Sequence, residues 1–258
     1  MPAPDAWDPD RYARFSAERR LPWDDLTALL TPLPPPLVLD LGCGDGALTA
    51  ELHARLQARQ TVGVDRSAAM LERAAVRAGG GLRFEAGDAA TWSGGPFDLV
   101  ISNAALHWVP DHAALLPRLA ALLAPGGQLA VQVPMNEHHP SHLEAAATAA
   151  EPPFAAALDG YRRVSPVLAP EWYALALFRL GFTQRRVRVE VYGHPLATRD
   201  EVAEWVRGTL LTDYQRRLPA SLWPAFLDRY RQRLAAALPD QRPFLYTYRR
   251  LLLWARRP

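Results

Sequence analysis

An apolar segment that runs directly into three alternating glycines constrains this sequence more than any other feature. Residues 38–46 read VLDLGCGDG, and a helix-forming run, ALTAEL, follows at once. Glycine has no Cβ, so the backbone can turn tightly there and approach a bound ligand closely. A strand that leads through such a turn into a helix is typical of α/β proteins that bind a nucleotide-like cofactor.

The acids beside the glycines indicate the charge of that cofactor. The spacing Gly42-x-Gly44-x-x-Ala47 also fits the dinucleotide pattern, in which a helix N-terminus holds an anionic pyrophosphate. Here Asp40 and Asp45 flank the loop, and carboxylates oppose a phosphate. They favour S-adenosylmethionine, which carries a sulfonium and an ammonium group. A dinucleotide and a loop without a ligand remain alternatives.

Polar residues follow three further apolar segments that we predict to be strands. Asp65 ends the second strand about 20 residues past the glycines, where an acid accepts ribose hydroxyls, and Arg66 follows it. The third strand leads to Asp88 and Ala89, whose carboxylate and backbone N–H suit the adenine. The fourth ends at Asn103, which we expect near the methionine end because ligands bind at the carboxyl edge of a parallel sheet.

Structural roles remain open for the same residues. Asp65 and Ser67 precede a predicted helix over 68–78 and are residue types that cap helices. Asp88 also fits a plain turn. Trp92 fits either a wall of the adenine site or the core.

The N-terminal segment has a second candidate role. Tyr12, Phe15 and Arg19 share one face of a helix at spacings of three and four residues. We expect this face to fold over the cofactor, with Arg19 reaching its carboxylate. The alternative is that Tyr12 and Phe15 only anchor the helix.

The order of elements predicts an α/β fold. Residues 37–133 alternate short apolar strands with helices, as a parallel sheet requires. A period-two pattern at 186–192 adds a further strand, and we predict a last strand at 245–254 that closes the sheet. We predict helices at 141–150 with Ser141 as its cap, at 171–180, at 199–209 and at 222–237. The predicted organisation is an N-terminal cap segment (1–36), a cofactor-binding Rossmann-like core (37–134), and a helical lid with the last two strands (135–258), in one structural domain overall.

Composition excludes several classes of protein. Apolar residues make up 49% and charged residues 22% of the 258 positions, which is typical of a globular chain. Cys43 is the single cysteine, so an internal disulfide and a cysteine-based zinc site are excluded. The net charge of +2 argues against nucleic-acid binding, and no apolar run is long enough for a membrane span. We expect a cytoplasmic protein without a metal, as a monomer or weak homodimer.

Longer motifs identify a family. Residues 7–19 read WDPDRYARFSAER, residues 103–112 read NAALHWVPDH, residues 140–142 read PSH and residues 204–209 read EWVRGT. With the glycine loop, they resemble the class I S-adenosylmethionine-dependent methyltransferases, and among these the trans-aconitate methyltransferases. The resemblance covers residues 7–256. It implies a seven-stranded sheet with helical lid insertions, S-adenosyl-L-homocysteine as product, and a small-molecule carboxylate such as trans-aconitate as acceptor.

The resemblance also implies an acceptor pocket in the C-terminal half. Its candidate members are Tyr192, His194, Trp205, Thr209 and Arg250, joined by His107, which replaces a glutamine of the family. Each has an ordinary alternative, since a lone histidine is usually packed and Trp205 has the spacing of a core residue. After Thr209 this chain reads LLTD where the family has GLRP, so an arginine is missing at Thr212 and Asp213 adds a charge that opposes a polyanion.

A carboxylate acceptor sets modest chemical demands. It is already ionised near pH 7 and needs alignment and removal of water instead of a general base. A hydroxyl or amine acceptor would need a base, for which His107 and His194 are candidates. Methyl transfer to another small acceptor, such as a malonyl thioester, and cofactor binding without catalysis remain alternative functions.

Overall fold

The computed structural model describes residues 16–258, and their side chains from Arg20 onward. Its strands are β1 (Leu37–Leu41), β2 (Gln60–Asp65), β3 (Leu82–Ala86), β4 (Phe97–Asn103), β5 (Leu123–Pro134), β6 (Gln184–Leu196) and β7 (Phe244–Arg256). Its helices are α1 (Ser16–Thr27), α2 (Ala47–Leu56), α3 (Ala68–Ala75), α4 (His112–Ala121), α5 (Pro140–Ala149), α6 (Phe154–Ala157), α7 (Pro170–Arg179), α8 (Glu201–Arg207), α9 (Leu210–Arg217) and α10 (Trp223–Ala237).

Within the described chain these strands form one seven-stranded sheet in the order β3-β2-β1-β4-β5-β7-β6. The strands β1 to β5 pair in parallel, and β7 pairs antiparallel with β5. The strand order reverses between β1 and β4, which is the place where open α/β sheets bind ligands. The predicted seven-stranded α/β fold is therefore confirmed.

The chain divides into two compact units. We call Leu21–Met135, Pro166–Glu190 and Arg250–Pro258 the sheet unit. The helical unit comprises Asn136–Ser165 and Val191–Arg249, with the described residues up to Arg20. Each unit has its own core: strand residues such as Leu39 and Val131 in the sheet unit, and aromatic residues such as Phe226 and Tyr230 in the helical unit.

Helix α5 begins at Pro140, and the prediction that Ser141 caps it was wrong. The cap is His139, whose Nδ1 accepts a hydrogen bond from the backbone N–H of Ser141 at 3.0 Å. Proline suits the first helical position because its missing N–H has no partner there in any case. Burial lowers the pKa of His139 to about 4, which keeps this nitrogen an acceptor at neutral pH.

Other predicted bounds also needed correction. Strand β5 starts at Leu123, so it includes Pro125, Gly126 and Gly127, which are residue types that favour a turn. A register shift between Phe97 and Leu99 on β4 accommodates the extra residues. The predicted helix 199–209 is the shorter α8, and α9 follows it directly. No helix of the described residues is long and apolar enough to cross a membrane.

Candidate active site

The glycine loop connects β1 to α2 at the carboxyl edge of the sheet. Gly42 has a φ of 81°, and a Cβ on it would lie 2.1 Å from the Cβ of Ala105, so only glycine fits this position without displacing its neighbour. The N–H groups of Gly42 and Cys43 donate to the carbonyl of Val64 at 2.7 and 3.0 Å. These two bonds hold the loop against the end of β2.

Asp65 connects that strand end to the glycine loop. Its Oδ2 accepts from the N–H of Gly44 at 2.9 Å, and its Oδ1 accepts from the N–H of Ser67 at 2.9 Å. The Ser67 hydroxyl in turn accepts from Met70 N–H, so Ser67 is the cap of α3. A carboxylate has about four acceptor positions. Asp65 therefore supports the turn and keeps capacity for the ribose hydroxyls that we predict it to bind.

Asp40 is the buried acid of the site. It is 3% exposed, and its Oδ2 accepts from the Thr49 hydroxyl at 2.6 Å. Burial raises the pKa of Asp40 to about 7; the Thr49 hydrogen bond opposes this effect and the charge of Asp65 adds to it. An acid in this state gains from a nearby cation, which restores its ionised form.

Asp45, by contrast, is already engaged. Its carboxylate lies 4.0 Å from the Arg77 guanidinium, and its Oδ1 accepts from the N–H of Ala47 at the start of α2. The attraction that the sequence suggested between Asp45 and a cationic cofactor is therefore partly satisfied within the protein. Asp40 is the better candidate for that role.

The end of β4 adds a polar atom of a different kind. The Oδ1 of Asn103 is buried and accepts no hydrogen bond from any residue that the structure describes. A buried acceptor in this state costs free energy unless a ligand supplies a donor. An ammonium group is such a donor, so Asn103, Asp40 and Asp65 fit S-adenosylmethionine better than an anionic pyrophosphate.

His107 follows Asn103 closely in the sequence. It lies in a short 3-10 turn, Leu106–Trp108, and its half-buried ring contacts that of Trp108 with the centroids 4.9 Å apart. No described geometry assigns His107 a role in proton transfer, and its place in the acceptor site stays a prediction.

The adenine candidates lie after β3. Asp88 is exposed, and its Oδ1 accepts from Ala90 N–H at 2.8 Å, which is the plain turn we considered. This turn uses only Oδ1 of Asp88, so the exposed Asp88 remains a candidate for the adenine, together with the half-buried Ala89 and the exposed Arg66. The Nε1–H of Trp92 donates to the Glu85 carboxylate at 2.6 Å, and the ring centroids of Trp92 and Phe97 are 5.8 Å apart. The described contacts of the Trp92 ring are therefore structural.

The predicted acceptor residues fall into both units. In the helical unit, the buried rings of His194 and Trp205 stack with centroids 4.5 Å apart. Tyr192 is 8% exposed, and the Thr209 hydroxyl donates to the Val206 carbonyl. Trp205 belongs to the core of this unit, as its spacing also allowed. Arg250, buried on β7, and His107 belong to the sheet unit.

The N-terminal candidates precede the residues whose side chains the structure describes. Tyr12 lies outside the described residues, and so does the side chain of Arg19, whose backbone is in α1. Their roles at the cofactor stay predictions.

Some residues of the structure carry no recognisable signal in the sequence. Thr49, the hydroxyl donor to Asp40, lies in the first turn of α2, and no sequence motif marks it. Arg163 lies between α6 and α7 in a segment without periodicity, and only its contacts with distant residues distinguish it.

Comparison with known proteins identifies the family. Residues 38–127 match the family described as a methyltransferase domain. The chain is 44% identical to the trans-aconitate 2-methyltransferase of Deinococcus radiodurans over 98% of both chains, and 42% identical to that of Variovorax paradoxus over 90% of both.

Solved structures share the fold. The YcgJ protein of Bacillus subtilis superposes with a TM-score of 0.58 at 17% identity, covering 94% of this chain and 98% of the other. A putative methyltransferase of Bacillus halodurans gives 0.57 at 16% identity, covering 91% and 98%. With the sheet order and the near full-length relatives, this chain belongs to the trans-aconitate 2-methyltransferase family.

Proposed function

We propose that this protein transfers the methyl group of S-adenosylmethionine to a carboxylate oxygen of a small organic acid, with trans-aconitate as acceptor. An oxygen lone pair forms the bond to the methyl carbon while the carbon–sulfur bond breaks, and that electron pair stays on sulfur. The products are a methyl ester and S-adenosylhomocysteine. The observation that carries the proposal is the 44% identity to the Deinococcus radiodurans enzyme over 98% of both chains.

The residues of the sheet unit would hold the methyl donor. We assign the ribose hydroxyls to Asp65, the adenine to Asp88 and Ala89, and the ammonium group to Asn103. The bound donor supplies an electrophilic methyl group on a positively charged sulfur. The protein has to bind it next to the acceptor oxygen and exclude water, since proximity and orientation alone account for several orders of magnitude in rate.

The charge change at sulfur gives Asp40 a function in the cycle. The donor is cationic at sulfur and the product is neutral there, so a buried carboxylate that attracts the donor attracts the product less. Asp40 would therefore favour donor over product in binding and assist release of S-adenosylhomocysteine. Its burial strengthens the difference, because charges act more strongly where water is excluded.

The acceptor itself needs no proton transfer. Its carboxylates are ionised near pH 7, so His107 and His194 are not required as bases for this reaction. The protein has to hold the other carboxylates of the acid, which arginine does through paired charge-assisted hydrogen bonds.

The test is product formation with a panel of acceptors. The purified protein is incubated with S-adenosylmethionine and trans-aconitate, other tricarboxylates, a malonyl thioester, hydroxyl compounds or amines, and S-adenosylhomocysteine and methylated product are measured by mass spectrometry. We expect turnover with trans-aconitate to yield a monomethyl ester. Turnover with only the malonyl thioester, the hydroxyl compounds or the amines would show that the acceptor is one of those compounds and not a small organic acid. Donor binding by calorimetry without turnover on any acceptor would indicate a binding protein.

A further inference from the structure

A buried glutamine lies beside Asn103 at the carboxyl edge of the sheet. Gln132 on β5 is the register partner of Asn103 on β4, and its side chain is 0% exposed. Residues that pair across neighbouring strands point to the same face of the sheet, and the strands lie about 4.8 Å apart. The two amide side chains are therefore neighbours at the strand ends where this fold binds ligands.

The same face of the sheet carries the buried acid of the site. Asp40 pairs with Ile101, which lies two residues before Asn103 on β4. Ile101 in turn pairs with Ala130, two residues before Gln132 on β5. Since side chains alternate along a strand, Asp40, Asn103 and Gln132 all point to one face. Their strands belong to the sheet unit, so this arrangement is set within a single unit.

One end of the Gln132 amide is used inside the protein. Its Oε1 accepts from the backbone N–H of Ala104 at 3.1 Å, and the same N–H donates to the Gln132 carbonyl at 2.9 Å. A backbone N–H can only donate, so the atom that it meets is the amide oxygen. Ala104 has a φ of 52°, a left-handed conformation that residues other than glycine rarely adopt. Gln132 thus fixes the chain just before Ala105, the residue that approaches Gly42.

The other end of the Gln132 amide has no partner in the described part of the chain. Its Nε2 is buried and donates to none of the described residues. A buried N–H without an acceptor costs free energy, and so does the buried Oδ1 of Asn103 beside it. These two atoms are opposite in kind, because the amide nitrogen donates and the amide oxygen accepts.

A donor next to an acceptor matches the methionine end of S-adenosylmethionine, which carries a carboxylate and an ammonium on one carbon. The ammonium suits Oδ1 of Asn103, and the carboxylate suits Nε2 of Gln132. The acids Asp40 and Asp65 would repel a carboxylate. We expect Arg19 to reach the same carboxylate, and a carboxylate with about four acceptor positions can take both donors.

We propose that the Nε2 amide of Gln132 donates to the carboxylate of the methyl donor while Asn103 holds its ammonium group. This inference rests on the part of the proposed function that assigns the ammonium to Asn103. The pair selects ligands with a complete amino-acid end over ligands that lack the carboxylate. Because the same side chain fixes Ala104, donor binding and the conformation of the segment after β4 are linked through Gln132.

The experiment compares two sulfonium ligands by isothermal titration calorimetry. S-adenosylmethionine carries the carboxylate, and decarboxylated S-adenosylmethionine keeps only the ammonium and the sulfonium. Gln132→Glu keeps an oxygen for Ala104 N–H and replaces the free amide by an oxygen that repels a carboxylate. We expect the Kd for S-adenosylmethionine to rise roughly 10- to 100-fold, the scale of losing a hydrogen bond to a charged group. The Kd for the decarboxylated ligand should stay the same or fall, because it offers no carboxylate to repel.

Gln128→Met is the matched control on the same face of β5. The Gln128 amide uses both ends within the protein: its Oε1 accepts from Thr31 N–H at 2.9 Å, and its Nε2 donates to the Thr31 carbonyl at 2.9 Å. Its loss should lower the melting temperature and leave the ratio of the two Kd values unchanged. Gln132→Met adds no charge and should reduce the preference for S-adenosylmethionine, so it serves as the second variant if Gln132→Glu does not fold.

The remaining outcomes would overturn the proposal or separate it from the proposed function. Equal weakening of both ligands by Gln132→Glu would show that Gln132 acts only through Ala104. Unchanged affinity for both would show that water, and not the donor, meets the amide. An unchanged donor Kd with a raised KM for trans-aconitate would assign the amide to the acceptor instead. If wild type shows the expected preference and methylates no carboxylic acid, the role of Gln132 stands and the proposed acceptor fails.

Discussion

The backbone N–H of Gly44 donates to the Asp65 carboxylate at 2.9 Å across 21 residues of sequence. This bond ties the glycine loop to the end of β2, so the residue predicted to bind ribose also fixes the loop that surrounds the cofactor. Binding and loop geometry are therefore coupled through one side chain.

Replacing Asp65 should weaken the methyl donor. Asp65→Ala removes the predicted bonds to the ribose and leaves Gly44 N–H without its acceptor, so we expect a loss of about 1–3 kcal/mol in binding. Isothermal titration calorimetry with S-adenosylmethionine measures it. The exposed Glu72→Ala on α3 is the control and should bind normally. Unchanged affinity in Asp65→Ala would remove Asp65 from the site.

Gly42 should tolerate no side chain. Gly42→Ala places a Cβ 2.1 Å from that of Ala105 in a backbone with φ of 81°, a conformation that costs about 1–2 kcal/mol for an L-residue before the overlap is counted. We expect a lower melting temperature and weaker donor binding. Gly208→Ala, where an added Cβ meets no atom within 4 Å, should leave both unchanged. Equal effects of Gly42→Ala and Gly208→Ala would contradict the close approach of Gly42 to Ala105.

The protonation of Asp40 should make stability depend on pH. Burial raises the pKa of Asp40 from its ordinary 3.8 to about 7, so between these values the folded state binds more protons than the unfolded state. The contribution of Asp40 to unfolding free energy is thus highest at low pH and falls by up to about 1.4 kcal/mol per unit as pH rises towards 7.

Buried histidines change the unfolding free energy with pH in the opposite sense. The effect of Asp40 is therefore measured as the difference in unfolding free energy between wild type and a variant. Chemical denaturation of wild type and Asp40→Asn between pH 5 and 8 should give a gap that shifts in favour of the asparagine variant as pH rises. Asp228→Asn, at an exposed side chain, should follow wild type. A gap that does not vary with pH would show that Asp40 does not titrate in this range.

The same acid should distinguish donor from product. Only the donor carries a positive sulfur, which favours ionised Asp40, so donor binding should release a proton and strengthen as pH rises from 6 towards 8. The product should show a weaker dependence. Calorimetry in buffers of different ionisation enthalpy measures the proton release, and Asp40→Asn should abolish the difference between the two ligands. Parallel pH curves for both ligands in wild type would place Asp40 away from the sulfur.

Much of the sheet unit could be predicted because its signals are local. Each parallel strand is a short apolar run in the sequence. Asp65 is the last residue of β2, and Asn103 is the last residue of β4. The start of β5 is not evident in the sequence because Pro125, Gly126 and Gly127 favour a turn, and the printed register with β4 passes from Leu123 directly to Gln128. His139 was missed as a cap because histidine rarely has that role.

The helical unit was harder to predict because its important contacts join distant residues. Tyr161 and Asp213 are 52 residues apart, and neither lies in a pattern that connects them. Asp213 alone indicated repulsion of an acidic substrate; in the structure its carboxylate contacts Tyr161 and Arg217, which reduces that repulsion. No sequence pattern distinguishes Arg163, and only the folded structure shows its contacts.

The imidazole that begins α5 has a consequence for how the protein denatures in acid. His139 accepts the N–H of Ser141 only while neutral, and burial holds its pKa near 4, below the ordinary 6.5, so its contribution to stability is full above about pH 6.5 and is lost as pH falls through about 4. Asp40 responds in the reverse direction within the sheet unit. The gap in unfolding free energy between wild type and His139→Ala should therefore shrink as pH falls from about 6.5 to about 4, whereas a gap that does not vary with pH would contradict this.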